Sequence, residues 1–168
     1  MDVWFQDADR GWAVGTFGTL VATEDGGQHW VSQQTKLENP EEFHLNAVTG
    51  DSKGRVFIAG EGGVMFRSLD SGHSWESLQP FYDGSWFGVV YNAQHDTLLM
   101  FGLRGNLYRS ADFGSSWEPV PGDNSTLAGG TASAHDEARG AVGDVDLAHQ
   151  VAALLRDEQQ GAVGAGGE

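Results

Sequence analysis

An octapeptide occurs three times in this chain, as TEDGGQHW at 23–30, SLDSGHSW at 68–75 and SADFGSSW at 110–117. All three copies fit Ser/Thr-x-Asp-x-Gly-x-x-Trp, and their aspartates, Asp25, Asp70 and Asp112, lie 45 and 42 residues apart. Four fixed positions recurring at a near-constant period mark repeated structure rather than a single reactive loop.

The flanks repeat as well. Each box follows two short apolar runs separated by a glycine turn: GWAVGTFGTLVATE, RVFIAGEGGVMFRSL and TLLMFGLRGNLYRSA. A further candidate strand lies upstream of each (VWF, LNAV, FGVVY), and a short polar one follows each tryptophan (WVSQ, WESLQ, WEPV). Four strands joined by hairpins have the size and layout of a propeller blade. The expected fold is all-β, a partial propeller of about three four-stranded blades over 2–33, 44–79 and 86–121, within a unit spanning 1–121.

Within the box every fixed residue has an architectural task. Asp25, Asp70 and Asp112 accept backbone N–H groups of their own turn. Gly27, Gly72 and Gly114 supply the positive φ that closes a hairpin, and Thr23, Ser68 and Ser110 bond across the loop. Trp30, Trp75 and Trp117 plug the seams between sheets. A calcium loop would need several acids at alternate positions and a bidentate Glu, whereas here a single Asp recurs. The boxes are expected to be structural, with no metal.

These residues resemble the Asp-box, or bacterial neuraminidase repeat, found in sialidases, xyloglucanase-type glycosidases, sortilin-like receptors and photosystem II stability/assembly factor-like proteins. The phrases GWAVGTFGTLVATEDGGQHW, VFIAGEGGVMFRSLDSGHSW and LLMFGLRGNLYRSADFGSSW are most similar to the last group. The resemblance covers residues 2 to about 121. It implies a propeller whose boxes lie on the face away from the ligand site, and a place in a lumen or periplasm. The N-terminus, MDVWFQDADRGW, has acids where a signal peptide needs a basic start.

Composition narrows the partners. A formal charge of −15, with only 9 Lys and Arg, argues against nucleic acid and against an anionic membrane surface. No stretch approaches the roughly 20 apolar residues of a membrane span. Without cysteine there is no disulfide framework and no thiol nucleophile.

Three blades do not close a ring, so the chain reads as a propeller fragment whose exposed edges invite edge-to-edge self-association. Every one of the 9 Phe, 6 Trp and 3 Tyr lies at or before position 117. STLAGGTAS at 125–133 has the pattern of a fourth-blade start, after which the pattern is abandoned. Residues 122–168 form a low-complexity acidic Gly/Ala-rich tail. Its one candidate element is a helix over 146–158, with Leu147, Val151, Leu154 and Leu155 on one face.

The D-to-A and B-to-C connections of the blades share the face opposite the boxes. That face gathers Phe17, Glu41, Glu42, Phe43, His44, Glu61, Tyr82, Asp83, Trp86 and Arg104. Of these, Phe17, Glu61, Tyr82, Asp83, Trp86 and Arg104 are the binding-face candidates, since exposed aromatics beside charges suit a protein or carbohydrate contact. Trp86 has a rival reading as core at the start of blade three. No catalytic residue or cofactor site stands out. The arginines lack the signature of a sialidase, and Glu61 and Asp83 can be imagined as a glycosidase pair, but nothing singles them out. The expected function is a non-catalytic assembly scaffold with a protein partner. The alternative is a glycosidase-like propeller of sialidase or xyloglucanase type.

Overall fold

The computed structural model of the chain describes residues 1–121 and two short strands, Thr131–Ala132 and Ala138–Arg139. The helix expected over 146–158 lies outside the described residues. Twelve strands form three antiparallel four-stranded sheets in simple up-and-down order. The first holds β1 (Asp2–Phe5), β2 (Gly11–Val14), β3 (Leu20–Thr23) and β4 (Val31–Ser32). The second holds β5 (Leu45–Gly50), β6 (Val56–Gly60), β7 (Met65–Ser68) and β8 (Glu76–Leu78). The third holds β9 (Trp86–Asn92), β10 (Thr97–Gly102), β11 (Leu107–Ser110) and β12 (Glu118–Pro119). No α-helix occurs among the described residues. The innermost strands β1, β5 and β9 stand side by side in sequence order, so the sheets are successive blades of a partial β-propeller.

Strand alternation explains the core. Successive side chains point to opposite faces of a sheet, and in each central strand both faces are apolar. Trp12 and Val14 of β2 face blade two, where they meet Val48, Val56, Ile58 and Phe66 in one buried cluster. Phe57 and Ala59, the alternate residues of β6, face blade three and meet Val89, Leu98 and Met100 in a second. A blade therefore carries a forward face and a back face, and each seam is one forward face against the next back face. Trp12, Phe57, Ile58, Leu98 and Met100 are at most 1% exposed, each burial contributing about 1.5–3 kcal/mol.

The box tryptophans follow the same rule. Trp75 packs on the cluster between blades one and two, and Trp117 on the one between blades two and three. The Trp117 ring lies 5.6 Å from that of Phe57. Trp30 occupies the corresponding place in blade one, where no described sheet lies behind it, and it remains 38% exposed. Gly72 and Gly114 are required twice over. Both have left-handed φ (74° and 90°), and a Cβ there would meet Trp12 at 2.6 Å or Phe57 at 2.5 Å.

Polar bonds rivet the second seam. Arg55 of blade two donates to Asp51 at 2.6 Å, to the Tyr91 hydroxyl at 3.2 Å and to the Asp96 carboxylate. Its guanidinium also lies 4.4 Å from the centre of the Phe113 ring, a cation–π contact across the seam. Beyond blade three, β13 (Thr131–Ala132) and β14 (Ala138–Arg139) pair antiparallel, with Thr131 opposite Arg139 and Ala132 opposite Ala138. β13 lies against β9, as β9 lies against β5. It falls within the 125–133 stretch that has the pattern of a blade start; β14 has no counterpart in the sequence reading.

The seams make the three tryptophans unequal. Trp75→Ala or Trp117→Ala is expected to lower stability by roughly 3 kcal/mol, and Trp30→Ala by about 1 kcal/mol or less. Denaturant melts of the three variants check the ranking, and equal losses would contradict it.

Candidate functional site

The propeller presents two ends, and the boxes occupy one. In each box the Ser/Thr hydroxyl accepts the glycine N–H, at 2.9 Å for Thr23 and Gly27, 2.9 Å for Ser68 and Gly72, and 2.7 Å for Ser110 and Gly114. The same hydroxyl donates to the aspartate at 2.8 Å in all three copies. The aspartate then accepts the N–H four residues on, from His29, Ser74 or Ser116, at 2.9, 2.9 and 2.8 Å. Its second oxygen meets the His29 ring at 2.7 Å, or the hydroxyls of Ser74 and Ser116 at 2.6 Å. Both oxygens of each carboxylate are thus engaged inside the box. No group of three His, Asp or Glu suited to a metal ion occurs among the described residues.

These donors favour the charged carboxylate. The backbone N–H and ring of His29, with the Thr23 hydroxyl, draw Asp25 from 3.8 down to about 2. The hydroxyl and N–H of Ser74, with Ser68, do the same for Asp70. At Asp112 burial works in the opposite direction, but the Ser116 and Ser110 donors outweigh it and hold the group below its ordinary value. Because the folded values are depressed, this stabilisation is present above about pH 4 and disappears as pH falls towards 2.

A second repeated device shares this end, and the sequence reading missed it. The inner hairpins begin on Asp7, Asp51 and Asn92. Asp7 accepts N–H groups from Asp9 at 2.9 Å and Arg10 at 2.7 Å. Asp51 accepts from Lys53 at 2.9 Å and Arg55 at 3.0 Å, and Asn92 from Gln94 at 3.0 Å. Spacings of 44 and 41 residues match the box period and were the signal available in the sequence.

The opposite end carries the candidate face. Each B-to-C turn is a short 3-10 turn, at Thr16–Gly18, Glu61–Gly63 and Leu103–Gly105, whose central residue is left-handed. Blade two places Gly62 there (φ 63°), the residue that fits at no steric cost. Blade one places Phe17 (φ 53°) and blade three Arg104 (φ 62°). A non-glycine residue in this region costs about 1–2 kcal/mol, so two turns hold strained side chains outward. Phe17 is 65% exposed, and Arg104 is exposed. A third left-handed residue, Glu42 (φ 51°), stands exposed beside Glu41 in the connection to blade two.

The other candidates separate into contact and support. The Phe17 ring meets that of His44 edge-on at 5.2 Å. His44 Nδ1 lies 3.9 Å from the Glu61 carboxylate, which also accepts the His44 N–H at 3.3 Å. Phe17, His44 and Glu61 therefore form one group across the first seam. Gln34 donates to the Phe17 carbonyl at 2.8 Å and holds that turn in place. Phe43 is half-buried beneath Gly62, and Asp83 is exposed. Tyr82 is half-buried, donates to the Leu103 carbonyl at 3.3 Å and packs 4.9 Å from Trp86, so it braces the Arg104 turn. Trp86 leaves the face altogether: it is 0% exposed in the second seam, since its indole opens β9 pointing into the core.

The family model for the photosynthesis system II assembly factor YCF48 matches residues 1–148. The chain belongs to this family. It is 35% identical over 79 residues to the photosystem II assembly lipoprotein Ycf48 of Synechococcus sp. (strain CC9902), an alignment covering 46% of the chain and 23% of that relative. Among solved structures it resembles YCF48 bound to D1 peptide, with 27% identity and a TM-score of 0.71 over 86% of this chain and 48% of that one. The chain thus spans about a quarter of the curated relative and half of the solved one. An ancestral GH74 enzyme shares the fold, at 18% identity and a TM-score of 0.60, over 86% of this chain and 22% of that one. The YCF48 assignment agrees with the box pattern and with the three-blade architecture.

Thermal melts of the wild type should lose stability steeply between about pH 4 and pH 2, and Asp70→Asn should both lower stability at neutral pH and flatten that acid limb. An unchanged acid limb would contradict the box energetics. Phe17→Gly, relieved of its strained turn, should remain within about 1 kcal/mol of wild type despite losing the His44 contact; a larger loss would make Phe17 part of the core.

Proposed function

We propose that this chain is a non-catalytic protein-binding module of the photosystem II assembly type, which engages its partner through the end opposite the boxes. The observation that carries this reading is the pair of strained turns at Phe17 and Arg104. Left-handed non-glycine residues persist where the surroundings hold them, and Phe17 and Arg104 are the two that the B-to-C turns place exposed on this face. Here they display an aromatic on blade one and a cation on blade three of one face, on either side of the blade-two turn at Gly62, with Glu61 and Asp83 as further polar contacts and Tyr82 as a brace. Trp86 supports the face from beneath.

The solved YCF48 was bound to a D1 peptide, which supports a polypeptide as the partner of this chain too. The Synechococcus relative is named a lipoprotein, which supports a place on the lumenal or periplasmic side of a membrane. The GH74 likeness is one of fold. Of the two carboxylates that a glycosidase reading would recruit, Glu61 is engaged by His44.

Titration calorimetry with a D1-derived peptide tests the proposal. Arg104→Asn and Phe17→Asn keep residues that tolerate the left-handed turn, so they should fold normally yet weaken binding about tenfold, or ~1.4 kcal/mol, each. Wild-type affinity in both variants would remove the face. Fluorogenic sialosides and xyloglucan oligosaccharides should not be turned over; turnover lost in Glu61→Gln or Asp83→Asn with the fold intact would favour a glycosidase.

A further inference from the structure

The second seam carries a groove of about 730 Å³ on its outer rim, between β8 of blade two and the Asp-box of blade three. Both walls belong to complete four-stranded sheets, and the volume is within the roughly 300–1,000 Å³ of small-molecule sites. Phe81 and Trp117 line it with aromatic surface. Their ring centres are 6.0 Å apart at 32°, and Phe81 is 43% exposed. The first seam is built differently at the corresponding places. Lys36 follows Trp30 at the distance at which Phe81 follows Trp75, and its ammonium crosses to the Gly72 carbonyl of the next box at 2.9 Å. Phe81 turns instead onto the rings of Tyr108 and Trp117, and Gly114, Ser115 and Ser116 of the next box line the groove. Aligned on the boxes, the ion pair of Arg67 and Glu76 replaces Ala22 and Val31 of blade one; Arg109 and Glu118 repeat it in blade three.

The polar groups of the groove select against ions. Arg67 donates from Nε and Nη2 to one oxygen of Glu76, Oε2, at 3.2 and 2.8 Å. Its Nη1 donates to the Phe113 carbonyl at 3.1 Å and the Ser115 hydroxyl at 2.7 Å. Most of its donors are thus committed, and with its side chain only 12% exposed it has little to offer an anion. Glu76 is already neutralised by Arg67, so an ammonium gains little from it. What remains open is Glu76 Oε1, which no bond engages among the described residues and whose side chain is 58% exposed. The Gln79 amide, exposed, and the Ser115 hydroxyl proton stand with it. These groups suit a neutral ligand that both donates and accepts hydrogen bonds and has an apolar face for the rings. A pyranose has that form, with C–H groups on its face and hydroxyls round its edge. We propose that the groove binds a neutral saccharide without cleaving it. Glu76 is the single carboxylate in its lining, and glycoside hydrolysis takes a pair.

Amide and indole NMR of the full chain, titrated to millimolar cellotetraose, maltotetraose or chitotetraose, tests this. At least one of the three should move the Trp117 indole signal and the amides of Gln79 and Ser115, leaving those of the Phe17 and Arg104 turns in place. Phe81→Leu keeps an apolar side chain on the rings of blade three but removes the platform, and should raise the half-saturating concentration about tenfold. Ser77→Trp places a bulky residue at an exposed strand position that lines the groove, where an aromatic suits the strand. It should abolish the shifts with an unchanged circular dichroism spectrum. No shift with any of the three saccharides, shifts centred on the Phe17 and Arg104 turns, or wild-type binding in either variant would each overturn the proposal. A blocked Ser/Ala tetrapeptide that moves the groove signals when no saccharide does would overturn it too, giving the groove to an extended polypeptide along β8. Failure here leaves the peptide-binding proposal intact, because affinity for the D1-derived peptide is read at the turns of Phe17 and Arg104 and should be unchanged in Ser77→Trp.

Discussion

The structure depends on the packing of one sheet face against the next. Every central strand is apolar on both sides, so a lone blade would leave both of its faces in water. Trp12 and Val14 are buried only because Ile58 and Phe66 stand opposite them, and Phe57 only because Met100 does. Stability therefore accumulates seam by seam rather than blade by blade. The inequality of Trp30, Trp75 and Trp117 expresses this: one motif, three copies, and a burial set by what stands behind each.

Much of this was legible in the sequence because repetition amplifies weak signals. One Asp-box is a turn; three in register give a period, and the period locates the strands between them. The blade order, the box geometry and the end of the molecule that carries the connections all follow from it. Trp86 was harder to place because it lies where a connection becomes a strand, and its residue type suits a seam as well as a surface. Only the direction of its first strand residue decides, and that depends on register with β10, which a sequence does not show.

Asp7, Asp51 and Asn92 were hidden for a different reason. Their side chains carry out the same backbone capping, but Asp alternates with Asn and the neighbouring residues vary, so no fixed pattern calls attention to them. Phe17 and Arg104 stood out by residue type but not by conformation. In the sequence they are an aromatic and a cation near glycines, and only the backbone angles show that both occupy the position that Gly62 fills without strain. That shared position turns two unrelated side chains into equivalent displays on one face.

The hydrogen bonds of the Asp-boxes also bear on the order in which the molecule assembles. The aspartate and hydroxyl bonds that close each box link residues no more than four apart in the chain. Closing so short a loop sacrifices little chain entropy, whereas the seam contacts join residues some tens of positions apart, such as Arg55 and Asp96. Local contacts of this kind form fast and long-range sheet pairing forms slowly. The three outer hairpins can consequently fix their own register before any blade meets its neighbour, leaving the later, slower docking steps to join hairpins that are already correctly aligned.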